Sequence, residues 1–279
     1  MGDEWLWRGR DEQGGSLMMK KVLRSSWLAI VLLFMYLPVL ILMVYSFTDT
    51  ATIGTAGHFS LKNYVTLFTS EELLGMIGGT FALAFGSALL ATLLGTIGAI
   101  GAFYSKKAPR HLIDMVNQIP VVNAEVVTGF SLCVLLIVVF GMDKESFFPL
   151  IIGHVVLEAP FVYLSVLPKL KQMDNSIYEA ALDLGASAGL ALRKVVIPQL
   201  FPGIISGFML SITLSLDDYF ITTYTKPATF DTISTYVVNA TKGSHTEIKT
   251  ALWALSTVIF IVILAIVFIE NLIARKKQD

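Results

Sequence analysis

The chain has 279 residues, of which 55% are hydrophobic and 15% charged, and its mean hydropathy is +0.72. Ordinary soluble domains carry roughly 25% charged residues, so this composition describes an integral membrane protein. The net charge is -1, and the lack of any basic tract or aromatic RNA-binding motif sets nucleic acid aside as a partner; the single cysteine, Cys133, has no internal disulfide partner.

In chain order, six segments reach spanning length: Trp27–Phe47, Leu73–Tyr104, Val126–Met142, Ser146–Pro168, Val195–Leu216 and Ala251–Ile269. The first, second and fifth are uncharged and meet the roughly 20 residues a hydrocarbon core requires. The fourth spans only if Glu158 is tolerated within it. Polar residues before Met18 read as a tail, which places the domains at 1–25 (N-terminal tail), 26–273 (membrane domain) and 274–279 (C-terminal tail). The first span, too long for a cleaved signal, reads as a retained anchor. Span two carries Gly75 and Gly79, then Gly95, Gly98 and Gly101, spacings that allow helix backbones to approach closely.

Positive charge sets the orientation, because basic short loops remain cytoplasmic. Lys20, Lys21 and Arg24 precede span one; Lys106, Lys107 and Arg110 follow span two; Lys169, Lys171, Arg193 and Lys194 follow span four; Arg275, Lys276 and Lys277 follow span six. Every second connection is basic, so both termini are expected in the cytoplasm. The connection after span four, about residues 169–200, reads as helix, corner, helix. Ser176 with Glu179 forms a capping box, Gly185 suits a left-handed helix end, and Ser187 starts a second helix towards Pro198.

Glu179, Ala180, Ala181, Gly185 and Pro198 match the E-A-A-x3-G-x9-I-x-L-P loop of the membrane subunits of ATP-binding cassette importers, with Val195 and Ile197 where that pattern has Ile and Leu. The chain thus resembles that family from its first to its last span. The resemblance implies an all-α integral membrane protein of the type I importer permease fold, with six transmembrane helices and a cytoplasmic coupling helix. It further implies that Glu179, Ala180, Ala181, Asp183 and Gly185 dock on a separate ATP-binding subunit. That partner would bind ATP and Mg, leaving no cofactor in this chain, which lacks a G-x4-G-K-[ST] loop. A second permease subunit and an extracytoplasmic binding protein complete the implied assembly, set in the lipid of the cell membrane.

Three stretches are similar to the spermidine/putrescine permeases within the family: "IPVVNAEVVTGFSL" from Ile119, "YEAALDLGAS" from Tyr178 and "GFMLSITLSLDDYFITTYT" from Gly207. Glu125 stands where those permeases usually have Asp. Glu158 stands where they have an uncharged residue, so it inherits no role.

A carboxylate inside a span normally faces a polar cavity or a partner. Counted from Pro202, Asp217 lies about 22 Å up a core of about 30 Å. Ser206, Thr213, Asp217 and Tyr224 form one polar stripe, and Ser211, Ser215, Asp218 and Thr222 another. The expected substrate pathway comprises Asp217, Asp218, Tyr219, Phe220, Tyr224, Ser215 and Glu125, with carboxylates for ammonium groups and aromatic faces for the cations and methylene stem of a polyamine. The competing reading makes Asp217 and Asp218 the end of span five and the cap of the outer loop. Glu125 reaches the pathway or stays at the interface. His154 and Glu158, four apart, neutralise each other or form a proton relay or substrate site.

Three functional classes compete. An importer permease for polyamine or another solute fits every motif; an ion-driven transporter would use the acids but leave the coupling loop idle; a membrane enzyme lacks H-E-x-x-H, and the four histidines are scattered along the chain.

Overall fold

The computed structural model describes residues 5–50, 54–55, 57–242, 250–261 and 264. It divides into two units, residues 1–70 with 244–279, and residues 71–243.

In the first unit α1 runs Trp5–Ser46, reaching well before the predicted span, and its Ser25–Ser46 portion is long and apolar enough to cross a membrane. Its membrane portion is largely exposed, Phe34 at 77% and Trp27 at 69%, as suits a lipid-facing helix. The turn after α1 is held by α2 (Lys62–Thr69): the buried Asn63 amide donates to the carbonyls of Ser46 and Thr48 at 3.0 Å each, and Ser46 Oγ lies 2.9 Å from Tyr64 Oη. An apolar helix covers Thr250–Ile261. The rest of the predicted sixth span, and the tail at 274–279, lie outside the described residues.

The second unit is built on α3 (Glu71–Tyr104), α6 (Phe148–Gln172) and α9 (Ile197–Asp217). These helices cross where side chains are missing. A Cβ on Gly95 would stand 2.7 Å from the Ala159 carbonyl oxygen of α6, and one on Gly207 would stand 3.1 Å from Val162 Cα. Of the glycines predicted to pack in span two, Gly95 makes the α3–α6 contact, Gly79 faces the Phe230 ring, and Gly75 and Gly101 face open space. Around the α3–α6–α9 crossing lies a core of Ala99, Val162, Val166, Leu170, Val196 and Leu200, none more than 0% exposed. The fourth predicted span, made conditional by Glu158, is the most buried of the long helices, because its charged residue faces the bundle.

The third predicted span is preceded by a bend that the sequence reading did not include. Residues Lys107–Val122 form an amphipathic α4, and Glu125–Cys133 forms α5, which continues as a π-helical turn to Val139; the two parts meet at 107°. Pro120 near the end of α4 and the extended backbone at Asn123 and Ala124 produce the corner. Tyr163 Oη donates to Asp114, and Asn117 Nδ2 donates to the Pro160 carbonyl at 3.3 Å, tying α4 to α6. Among the described residues four helices qualify as spans, or five with the bent pair taken as one. No strand occurs among them beyond a single bridge between Thr48 and Phe59.

Candidate functional site

Residues Asn175–Asp183 form α7, a water-facing helix between α6 and the helix leading into α9. Its cap is Asp174 rather than Ser176: Asp174 Oδ1 accepts from the Ser176 backbone N–H at 2.9 Å. Starting two residues earlier places Ile177, not Glu179, at the third helical position, so the predicted capping box does not form. Hydrogen bonds from the Ser176 backbone and side chain hold the Asp174 carboxyl below the usual aspartate value. Asp174 is therefore ionised at neutral pH and complements the positive end of the helix.

The other end follows the sequence reading. Gly185 has φ +86°, the Gly185 N–H donates to Leu182 O at 2.9 Å, and the Ala186 N–H donates to Ala181 O at 3.1 Å. This pair of bonds is the Schellman arrangement, which needs a left-handed residue at its corner. Ser187 then accepts from the Leu190 N–H at 3.4 Å and starts α8 (Ala188–Ala191), from which a π-helical turn enters α9. Glu179, Ala180, Asp183 and Gly185 are exposed and Ala181 is half-buried. Sequence reading passed over Leu184, 89% exposed, and Ile177 and Leu182, also exposed. Apolar side chains in a polar loop were the available signal, since such a patch marks a docking surface. Tyr178 points the opposite way: it packs against the core, with its ring 5.3 Å from that of Tyr104 at the base of α3.

At its far end α9 stops at Asp217, and a short α10 (Phe220–Thr225) restarts the helical path. Asp218 caps the restart. It is 4% exposed, its Oδ1 accepts from Ile221 N at 3.2 Å, and its Oδ2 accepts from Thr222 N and Thr222 Oγ1 at 2.7 Å each. Asp217 is exposed. The capping reading thus describes Asp218, and its neighbour keeps a carboxylate directed away from the bundle. The two polar stripes separate likewise: Ser211, Ser215, Asp218 and Thr222 are buried, whereas Ser206, Thr213 and Asp217 are exposed.

Two glycines seat α10. A Cβ on Gly129 of α5 would come 3.2 Å from the Ile221 backbone, and one on Gly153 of α6 would come 2.7 Å from Ile221 Cγ2. Aromatic residues surround the seat: the half-buried Tyr224 lies edge-on to the exposed Phe130 at 5.8 Å, and Tyr219 and Phe220, both half-buried, lie edge-on to each other at 5.2 Å. Glu125 is exposed at the start of α5, one turn before Gly129.

Behind this wall His154 and Glu158 are both 0% exposed. They do not hydrogen-bond directly, since Nδ1 and Oε1 are 3.6 Å apart. Instead His154 Nδ1 meets Ser215 Oγ at 2.9 Å, His154 Nε2 meets Thr222 Oγ1 at 3.0 Å, and Ser87 Oγ donates to Glu158 Oε1 at 2.7 Å. Ser87 was absent from the sequence-based candidates; a lone serine halfway along an apolar helix was its only trace.

A further acidic cavity of about 340 Å³, also absent from those candidates, lies between the start of α3 and the segment after α10 and is lined by Glu71, Glu72, Asp231, Phe230 and Tyr236. Lys226 pairs with Asp231 at 3.0 Å and Tyr236 Oη donates to Glu72 at 3.3 Å. Burial, reinforced by the nearby Glu72 charge, pushes the Tyr236 phenol up to about 12, so it remains a donor at neutral pH.

Solved structures share this α-helical bundle, with its exposed α7 at one end and the broken α9–α10 path at the other. A chain of a bacterial ABC transporter that imports the acidic polysaccharide alginate matches with TM-score 0.68 at 22% identity, covering 98% of this chain and 99% of that one. A chain of the MetNI methionine ABC transporter matches with TM-score 0.53 at 16% identity, covering 75% of this chain and 99% of that one.

Residues 91–278 match the binding-protein-dependent transport system inner membrane components, and the chain belongs to that family. Among its relatives, the spermidine/putrescine transport system permease protein PotC of Haemophilus influenzae is 30% identical over 263 residues, 94% of this chain and 100% of the relative. The putrescine transport system permease protein PotI of Escherichia coli is 29% identical over 273 residues, 92% of this chain and 94% of the relative. The chain is therefore a multi-pass membrane permease component, a transport subunit rather than an enzyme.

Proposed function

We propose that this chain is one of two permease subunits of an ATP-driven polyamine importer and that it contributes one wall of the translocation pathway. The observation that carries the reading is the division of labour at the α9–α10 break: Asp218 is used as a buried cap, while Asp217 is exposed at the end of an outward polar stripe. A carboxylate and hydroxyls on a span cannot face hydrocarbon cheaply, so this face requires a hydrated pathway or a second permease. Tyr219, Phe220 and Tyr224 stand on the same wall with Glu125 at the start of α5, and together they offer the negative charge and aromatic faces that a flexible di- or triammonium chain needs. Ser215 acts from behind, in the support of the wall. The acidic cavity on the outer side, by the orientation the basic loops give, favours cations and opposes anions. The names of the relatives support polyamines as the cargo.

Coupling follows from α7. Glu179, Ala180, Ala181, Asp183 and Gly185, with the exposed Leu184 beside them, form the face offered to a cytoplasmic ATP-binding subunit, which binds the ATP and Mg; both termini lie on that same side. An extracytoplasmic polyamine-binding protein delivers the cargo on the other.

Uptake of radiolabelled spermidine or putrescine into vesicles tests this. It is expected only with ATP and the partner subunits present. Asp217→Asn is expected to slow uptake about tenfold, equivalent to about 1.4 kcal/mol and the low end for losing a charged hydrogen-bond partner, while the complex still assembles. Full-speed uptake by Asp217→Asn removes Asp217 from the wall, and ATP-independent uptake by the chain alone refutes the importer reading.

A further inference from the structure

The wall has a support whose protonation its own hydrogen bonds determine. Asp218 accepts three hydrogen bonds, two from backbone N–H groups and one from the Thr222 hydroxyl. Thr222 spends its one hydroxyl proton on Asp218, which leaves its oxygen to accept at 3.0 Å from His154, and so His154 carries a hydrogen on Nε2. On the other side of the ring the chain runs from Nδ1 to Ser215 Oγ (2.9 Å), on to Ser87 Oγ (3.5 Å), and ends at Glu158 Oε1 (2.7 Å).

With no further proton the cluster would hold two carboxylates and a neutral imidazole, all buried, and Glu158 Oε2 has no hydrogen-bond partner to offset its share of the charge. Burying an uncompensated ion costs several kcal/mol. One added proton resolves this in either of two arrangements. On Nδ1 it makes an imidazolium that donates to Ser215 and stands 3.6 Å from the Glu158 carboxylate, which accepts from Ser87. On Glu158 it makes a carboxylic acid that donates to Ser87, which donates to Ser215, which donates to Nδ1. The net charge of the cluster is -1 in both.

The groups meeting the ring are accounted for element by element: Glu158 on α6, Ser215 at the end of α9, Asp218 at the break with its Oδ2 3.7 Å from Nε2, and Thr222 on α10, with Ser87 of α3 joining through Ser215 and Glu158. The cluster therefore ties α3, α6, α9 and α10 together at the point where the helical path is broken.

We propose that His154 is a positioning residue for transport, sharing one proton with Glu158 through the Ser215 and Ser87 hydroxyls and thereby keeping the α9–α10 break, and the wall it carries, seated on α6. When that proton leaves, two buried carboxylates share the cluster with a neutral ring, and their repulsion loosens the seat of α10 on α6. This rests on the pathway reading of the wall but not on which amine passes.

The test is the pH profile of ATP-driven uptake by the complete transporter in vesicles, compared between wild type and Glu158→Gln. The glutamine has the same shape, and with it the cluster reaches a net charge of -1 with no proton to lose. Titration of the other subunits is common to both proteins and cancels in the ratio. The ratio of wild-type to Glu158→Gln uptake is expected to fall on the alkaline side, approaching tenfold per pH unit beyond the midpoint, as loss of a single proton requires. If Glu158→Gln does not assemble, Ser87→Ala takes its place: it cuts the chain between ring and carboxyl and is expected to displace the alkaline midpoint from that of wild type. Superimposed profiles for whichever variant assembles, or wild-type uptake unaffected by pH across the alkaline range, overturn the proposal. An inactive Asp217→Asn with superimposed profiles would sink this role for His154 and leave the pathway reading standing.

Discussion

Asp217 and Asp218 are adjacent and chemically identical, yet the structure assigns them opposite consequences. Alanine at 218 removes the acceptor for two backbone N–H groups and the Thr222 hydroxyl, all buried, and takes a carboxylate from beside His154. A buried donor left unsatisfied costs about 1–3 kcal/mol. The Thr222 hydroxyl can turn elsewhere, so the two N–H groups set the scale, and Asp218→Ala is expected to destabilise the second unit by about 2–6 kcal/mol. For a protein of this size a loss of 1 kcal/mol lowers the midpoint by about 2–4 °C, so thermal unfolding in detergent should fall by about 4 °C at least. Asp217→Ala removes an exposed side chain and is expected to stay within about 0.5 kcal/mol of wild type. The assay is the unfolding midpoint of both purified variants, each paired with an uptake measurement in the reassembled transporter. Asp217→Ala should lose transport and keep stability, while Asp218→Ala loses both. Equal midpoints for the two variants, or a larger loss at 217, would refute the assignment of cap and wall.

Glu179→Lys reverses the charge on the exposed face of α7 and is expected to weaken co-purification with the ATP-binding subunit without moving the unfolding midpoint; undiminished co-purification would contradict docking there. Gly153→Ala sets a methyl group 2.7 Å from Ile221 Cγ2 and is expected to cost about 1–3 kcal/mol by overpacking and to slow uptake through displacement of α10, both readable in the assays above. The Asp174 cap has a defined pH window. Its folded value is depressed, so its contribution is complete above the ordinary aspartate value of about 3.9 and disappears as pH falls through the lower folded value. At neutral pH Asp174→Ala should speed amide exchange at Ser176, and a protection pattern matching wild type would show that another group caps the helix.

Much of the architecture was readable from runs and spacings within single segments. Apolar length set by bilayer thickness marked α3, α6 and α9, and Gly185 announced the end of α7 because only a residue without a Cβ enters that backbone region freely. The start of α7 was misread by two residues because Asp174 and Ser176 are both good caps, and only the hydrogen bond decides between them. The bend before α5 was passed over because Pro120, Asn123 and Ala124 are each compatible with a straight approach.

What the sequence determined by itself was a membrane protein with a water-facing helix, corner and helix between two spans, since bilayer thickness, charge placement and helix-end chemistry act over a few residues at a time; the permease family was legible only through the resemblance of that loop's motif. The tertiary structure alone decided that Asp218 caps while Asp217 faces out, and that His154 and Glu158 belong to one hydrogen-bonded cluster. Those outcomes depend on Ser87 meeting residues 71 and 128 positions further along the chain, and on the gap that Gly129 and Gly153 leave for Ile221. Such partners are chosen by how helices cross, and no pattern local to any one of them records the choice.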